Sequence, residues 1–392
     1  MRPLDGIMVI TLEHAVSAPF ATRHLADLGA RVIKVERLGE GDFARGYDET
    51  VMGLSSYFVW LNRSKESLTL NLKHPRARDI MARLIEGADV FVQNLAPGAT
   101  GRLGLGGEEL LTLHPRLIVC DVSGYGSSGS YRDKKAYDLL IQSEAGMLSI
   151  TGTPDAPSKV GISIADIAAG TYAYSGILSA LYQREKTGRG LHIEVSMLDA
   201  LGEWMNFPLY YAHYGGTAPP RTGASHATIY PYGPFRTGDG KSVMLGVQNE
   251  REWRAFCQGV LESPEVAGDP RFDTNSRRVA NRDSLTRIIE ETFARLMAEQ
   301  VIARLDAAQI ANARINGMDE VWKHPQFLAR GRWREVKTPA GIVSALLPPA
   351  TLSTCEAHMG GVPVLGEHTD SVLSGLGFSA EEIAELRAES VI

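Results

Sequence analysis

Apolar residues come in short runs over the first 200 positions, and the runs alternate with stretches of helical spacing. Residues 6–11 (GIMVIT), 89–93 (DVFVQ) and 117–122 (LIVCDV) are mostly apolar, these and 31–36 (RVIKVE) are rich in β-branched side chains, and 67–72 (SLTLNL) alternates with period two. These runs predict strands. A helix is expected over 21–28, stopped by Gly29, and another over about 75–86, where Pro75 suits the first turn. A long third helix is expected over about 167–184. Ala168, Ala169, Gly170, Ala173, Gly176 and Ala180 give it a small-residue side that permits close packing, and residues 192–196 (HIEVS) return as a strand. Strands alternating with helices predict an α/β protein with a Rossmann-like, mostly parallel sheet covered on both faces.

The pattern changes after about residue 206. Residues 207–240 are rich in Pro, Gly, Tyr and Thr, which predicts an irregular connector with short strands. Helical spacing resumes over about 250–261 and 282–305. The division that follows is a large domain over 1–200, a linker over 201–224, a smaller α+β domain over 225–320, and a closing segment over 321–392. The last 27 residues are helical in pattern, and Ser379-Ala380-Glu381-Glu382 has the form of a capping box.

With 392 residues, 44% apolar and 22% charged, the chain has the material for two packed domains and is not of disordered composition. A net charge of -6 argues against a general nucleic-acid binder, though not against a local basic patch for a small phosphorylated ligand. No run of about 18 apolar residues predicts a membrane span, and the first residues lack the apolar core of a signal peptide. Cys120, Cys257 and Cys355 are scattered and odd in number. They support neither a disulfide scaffold nor a zinc site, and a cytoplasmic protein is expected.

Motif searches exclude several chemistries. Gly104-Leu105-Gly106-Gly107 does not open a helix after a strand, and no Walker A sequence occurs, so neither NAD nor ATP binding is read from the fold. No serine lies in Gly-x-Ser-x-Gly. His192, His226 and His368 share no metal spacing, and His14 alone after the first strand reads as structural. Asp166, in GISIADIAAG (161–170), stands where an extended run meets the long helix. It can be an N-cap, or a reactive carboxylate at a helix start flanked by small residues that leave room for a substrate.

Several stretches, in order, carry a family resemblance: PLDG (3–6), LGARVIKVER (28–37), GD (41–42), NLAPG (94–98), AYD (136–138), REKTGRG (184–190) and LGEHT (365–369). The chain resembles the class III, or CaiB/BaiF, CoA-transferases. The resemblance implies that Asp166 is the nucleophile, passing through aspartyl anhydrides and an aspartyl-CoA thioester. It implies oxyanion stabilisation by backbone N–H groups near the helix start and in a facing loop. No resident metal or cofactor is implied; the CoA thioester is a substrate. CoA contacts carry over to Val16, Ser17, Arg37, Leu70, Asn71, Lys73, Asn94, Leu95, Ala96, Arg102, Lys135, Ala136, Tyr137 and Asp138. The resemblance also implies an interlocked homodimer, a large domain that regains the C-terminal segment, and an active site between subunits.

Two departures bear on the substrate. Val16 stands where formyl-CoA transferase has a glutamine, which disfavours formyl or oxalyl groups. The glycine-rich loop of that enzyme is here RTGASH (221–226), making Arg221 and His226 candidates for holding an acceptor's second carboxylate. DLLIQSEAG (138–146) and SITG (149–152) are similar to enzymes that pair succinyl-CoA with itaconate, mesaconate, malate or citramalate. Two other readings are an α-methylacyl-CoA racemase, which would place a histidine where Tyr137 stands, and a non-catalytic acyl-CoA-binding subunit.

Overall fold

Six strands form one all-parallel sheet in the order β3-β2-β1-β4-β5-β6. They are β1 (Met8–Leu12), β2 (Arg31–Glu36), β3 (Lys65–Thr69), β4 (Val90–Gln93), β5 (Ile118–Ser123) and β6 (His192–Ser196). The computed structural model describes residues 1–392. Ile10, Ile33, Leu68, Phe91 and Val119 are buried to 1% exposure or less, and the central strands β1, β4 and β5, covered on both faces, read as nearly continuous apolar runs. Strand order reverses between β1 and β4, the switch point of a doubly wound fold, where ligands sit beyond the carboxyl ends of the strands.

The chain forms two compact units, one of residues 1–145, 160–205 and 326–392, the other of 146–159 and 206–325. In the first, helix α1 (Ser17–Asp27) follows β1, α2 (Asp138–Glu144) precedes a short loop, and α3 (Ile164–Thr187) packs along α1. Ala165, Ala168, Ala169 and Ala173 are fully buried. Gly170 sets how close α3 can come: a Cβ there would lie 2.5 Å from the Ser17 carbonyl oxygen and 3.0 Å from the Phe20 ring. Two C-terminal helices, Thr369–Gly375 and Ala380–Ala388, return to this unit. Their Val372, Leu373, Ile383 and Leu386 join the core cluster of Ile10, Ile33 and Phe91. The capping box forms, with Ser379 Oγ accepting the Glu382 N–H at 3.2 Å and Glu382 Oε2 accepting the Ser379 N–H at 2.7 Å.

The second unit has a three-stranded antiparallel sheet of Tyr232–Arg236, Ser242–Gly246 and Ala311–Arg314. Helices pack on it around Trp253, Phe256, Phe272 and Phe293. Two expectations are corrected here. The connector expected over 207–240 from its Pro, Gly, Tyr and Thr content opens with a helix, Asn206–Gly215. The single helix expected over 282–305 is two, Arg282–Phe293 and Ala298–Ala307. Tertiary contacts divide it: the Gly238 N–H donates to the carbonyls of Phe293 (3.1 Å) and Leu296 (2.8 Å), and Asp239 Oδ2 accepts the Ala298 N–H at 3.3 Å. No helix is long and apolar enough to cross a membrane.

Candidate active site

Because the sheet is parallel, the carboxyl ends of its strands open on one edge. Val16 and Ser17 follow β1, Arg37 follows β2, and Leu70, Asn71 and Lys73 follow β3. Asn94, Leu95 and Ala96 follow β4, with Arg102 ending the short helix Ala99–Arg102. Lys135, Ala136 and Tyr137 lie in the segment between β5 and α2, and Asp138 opens α2. Gly124 lets that segment fold back, since a Cβ there would sit 2.1 Å from the Ala136 Cβ. Leu70 is buried, and Asn71 is tethered through its N–H to the Val391 carbonyl at 2.7 Å. Arg37, Lys73, Arg102 and Lys135 are exposed. Arg37 has only a loose ion pair with Glu40 at 3.7 Å. Lys134, by contrast, is engaged by Glu144 and stacked over the rings of Tyr125 and Tyr131, which leaves Lys135 as the less committed neighbour.

The turn between β1 and α1 is built with care at the switch point. Asn94, from the far side of the switch, accepts the His14 N–H (2.8 Å) and donates to the His14 carbonyl (2.9 Å) and to Ser17 Oγ (3.1 Å). Ala15 has φ +60°, a left-handed conformation that disfavours any residue with a Cβ. Val16, the residue before α1, is buried.

Asp166 lies in the first turn of α3, three residues beyond Ser163, which holds the cap position, so it is not the N-cap. Ser163 precedes the helix but makes no side-chain cap. The cap comes from elsewhere: Asp138 Oδ1 accepts the N–H groups of Ala165 (2.8 Å) and Asp166 (3.4 Å), and its Oδ2 accepts from Gln142 Nε2 at 2.7 Å. The Asp166 carboxylate is therefore free of the capping role. It also follows that these helix-start N–H groups are already occupied. Burial first, and the Asp138 charge second, push the Asp166 carboxyl up to about 7, against hydrogen bonds from the Ser17 hydroxyl and N–H. Tyr47 is pushed up to about 12 by burial and by the charges of Asp42, Asp166 and Tyr137, which marks the tyrosine as part of this surround. A partly buried carboxylate near neutrality, faced by a hydroxyl and an N–H, is equipped for nucleophilic chemistry.

Residues 4–369 match the family described as CoA-transferase family III. The chain belongs to CoA-transferase family III. It is 32% identical to human succinyl-CoA:glutarate CoA-transferase, covering 100% of this chain and 90% of the relative. It is 38% identical to acetyl-CoA:oxalate CoA-transferase of Acetobacter aceti, covering 84% of each. A CaiB/BaiF family protein from Brucella suis has the same fold, with 33% identity, a TM-score of 0.84, and coverage of 96% of this chain and 99% of that one.

In this CoA-transferase, Arg221 and His226 lie in the second unit, both locally engaged. Arg221 donates to the carbonyls of Thr153 and Pro154, each at 2.9 Å. His226 Nδ1 accepts the N–H groups of Thr228 (3.2 Å) and Ile229 (3.0 Å), and its ring stacks on Tyr232. Three residues of the site had no role assigned from sequence. Tyr47 lies in an unremarkable polar stretch. Asp42 belonged to a recognisable dipeptide, but its partners are 8 and 27 positions away. Gly170 was legible only as one of six small residues.

Proposed function

We propose that this CoA-transferase moves CoA from succinyl-CoA to a small dicarboxylic acid through covalent intermediates on Asp166. The observation that carries this reading is the Asp166 carboxylate itself, relieved of capping by Asp138 and faced by Ser17 at the switch-point edge. Its carboxylate attacks the thioester carbonyl, the C–S bond breaks, and CoA leaves as thiolate from a succinyl-aspartyl anhydride. The thiolate attacks the aspartyl carbonyl and expels succinate, leaving an aspartyl-CoA thioester. The acceptor carboxylate attacks that thioester and again releases thiolate. Attack on the acceptor's acyl carbon then yields the new acyl-CoA and frees Asp166. Each step exchanges one acyl bond for another, with no net redox change.

Developing oxyanions need donors. The Ser17 hydroxyl and N–H, which face the Asp166 carboxylate, are the donors this reading assigns to that role. The exposed cations Arg37, Lys73, Arg102 and Lys135 along the sheet edge suit the phosphates of CoA. Leu70, Asn71, Asn94, Leu95, Ala96, Ala136 and Tyr137 complete the CoA contacts. The dicarboxylate reading is supported by a relative named for glutarate, and itaconate, mesaconate, malate and citramalate are the acceptors we favour. The enzyme would act as an interlocked homodimer in the cytoplasm.

The test is to incubate the protein with succinyl-CoA and each of itaconate, mesaconate, malate, citramalate, glutarate, oxalate and formate, and to identify new thioesters by mass. A dicarboxylyl-CoA formed by the wild type and absent with Asp166→Ala is expected. If formyl-CoA alone appears, the dicarboxylate reading is wrong. An Asp166→Ala protein that still forms product removes Asp166 from the chemistry.

A further inference from the structure

We propose that Asp42 is a positioning residue that holds the turn before Ser17 in its left-handed conformation and so keeps Ser17 directed at Asp166. This inference rests on Asp166 being the nucleophile. Asp42 Oδ1 accepts the Ala15 N–H at 3.1 Å and the Ala44 N–H at 2.9 Å, and lies 3.8 Å from His14 Nδ1. Its Oδ2 accepts from Lys34 Nζ at 2.6 Å. Ala15 is the strained residue, at φ +60°, and Ser17 follows two positions later. A left-handed alanine persists only where its surroundings over-determine it. Here Asn94 fixes His14 and Ser17, and Asp42 fixes Ala15 itself.

Asp42 is fully buried, as is Lys34. The charged or titratable groups around it come from several elements. Lys34 and Glu36 are on β2, Lys65 is on β3, and Glu13 and His14 follow β1. The half-exposed Tyr47 lies within electrostatic reach of Asp42. Lys34 and Lys65 share Glu13, at 3.5 and 2.7 Å, and both donate to Asn62 Oδ1. The anchor is thus a set of paired charges that reaches the turn through the Ala15 N–H and α1 through Lys65 to the Pro19 carbonyl and Thr22 to Glu13. Facing Asp166 are Asp138 and Ser17, with the half-exposed Tyr47 within electrostatic reach. Ser17 favours the ionised nucleophile, so a slackened turn makes ionisation harder.

The experiment is the pH profile of kcat/KM for Asp42→Asn, Ala15→Val and the double variant Asp42→Asn/Ala15→Gly, with Asp166→Ala alongside. Asp42→Asn should lower kcat/KM about tenfold near pH 6.5, less at pH 9, and move the acid limb upward by about half a unit. Ala15→Val opposes positive φ without touching the buried charges, and should move the limb the same way. Glycine adopts that φ without strain, so Asp42→Asn/Ala15→Gly should return the limb most of the way. A limb unmoved in both Asp42→Asn and Ala15→Val overturns the positioning role while Asp166→Ala is inactive. An active Asp166→Ala would instead point to failure of the underlying mechanism.

Discussion

Two carboxylates in the same unit are treated in opposite ways. Burial works against the ionisation of Asp42, yet the adjacent Lys34 charge and several hydrogen bonds hold it well below the usual carboxylate range. Burial also works against Asp166, but its charged neighbour is another acid, Asp138, so its affinity for a proton rises. Around Asp42 the fold has paired each buried charge with one of opposite sign. Around Asp166 it has left one unsatisfied. Charge pairing marks a framework, and its deliberate absence in a partly buried carboxylate marks a site.

Breaking the framework should have the largest effect on stability. Lys34→Met leaves Asp42 and Glu13 short of a cation and should cost about 3–5 kcal/mol, read from the denaturant midpoint. Gly170→Ala acts between the two regions. Its methyl group would force α3 away from Ser17, so it should cost about 1–3 kcal/mol and lower kcat along with it. A stability loss with kcat intact would separate α3 packing from the chemistry.

Asp138→Asn sharpens the electrostatic half of the contrast. The amide oxygen can still cap Ala165, but the negative charge beside Asp166 is gone. The acid limb of kcat/KM should fall by about one pH unit, whereas Asp42→Asn should raise it. The smallest effect expected is on thermal stability. Asp166 binds its proton more tightly folded than unfolded. Its contribution is therefore fully present below its ordinary range, near pH 3.8, is lost as pH rises, and is gone above about 7. Asp166→Asn lacks this loss. Its melting temperature relative to wild type should rise between pH 4 and pH 7 and then level off, by about 1–3 °C in scanning calorimetry.

The same contrast explains what could be read from the chain. The central parallel strands were legible because burial on both faces writes uninterrupted apolar runs such as VFV (90–92) and LIVC (117–120). Once those runs are placed, the residues just after them fall on one edge of the sheet. Asp166 was legible as a carboxylate at a helix start, but its freedom from capping was not. That depends on Asp138, 28 residues away, accepting the N–H groups of Ala165 and Asp166. The strain at Ala15 leaves no mark in sequence, because alanine has no preference for positive φ that would signal it. In the second unit, the break between Phe293 and Ala298 came from Gly238 and Asp239, more than 50 residues upstream, so helical spacing ran straight through it.

The most direct test is the intact mass of the protein after brief exposure to succinyl-CoA without an acceptor. The account predicts an adduct equal to CoA less one water, on the peptide carrying Asp166, lost when acceptor is added and absent from Asp166→Ala. Turnover by the wild type with no such adduct, or with the adduct on another residue, would contradict it.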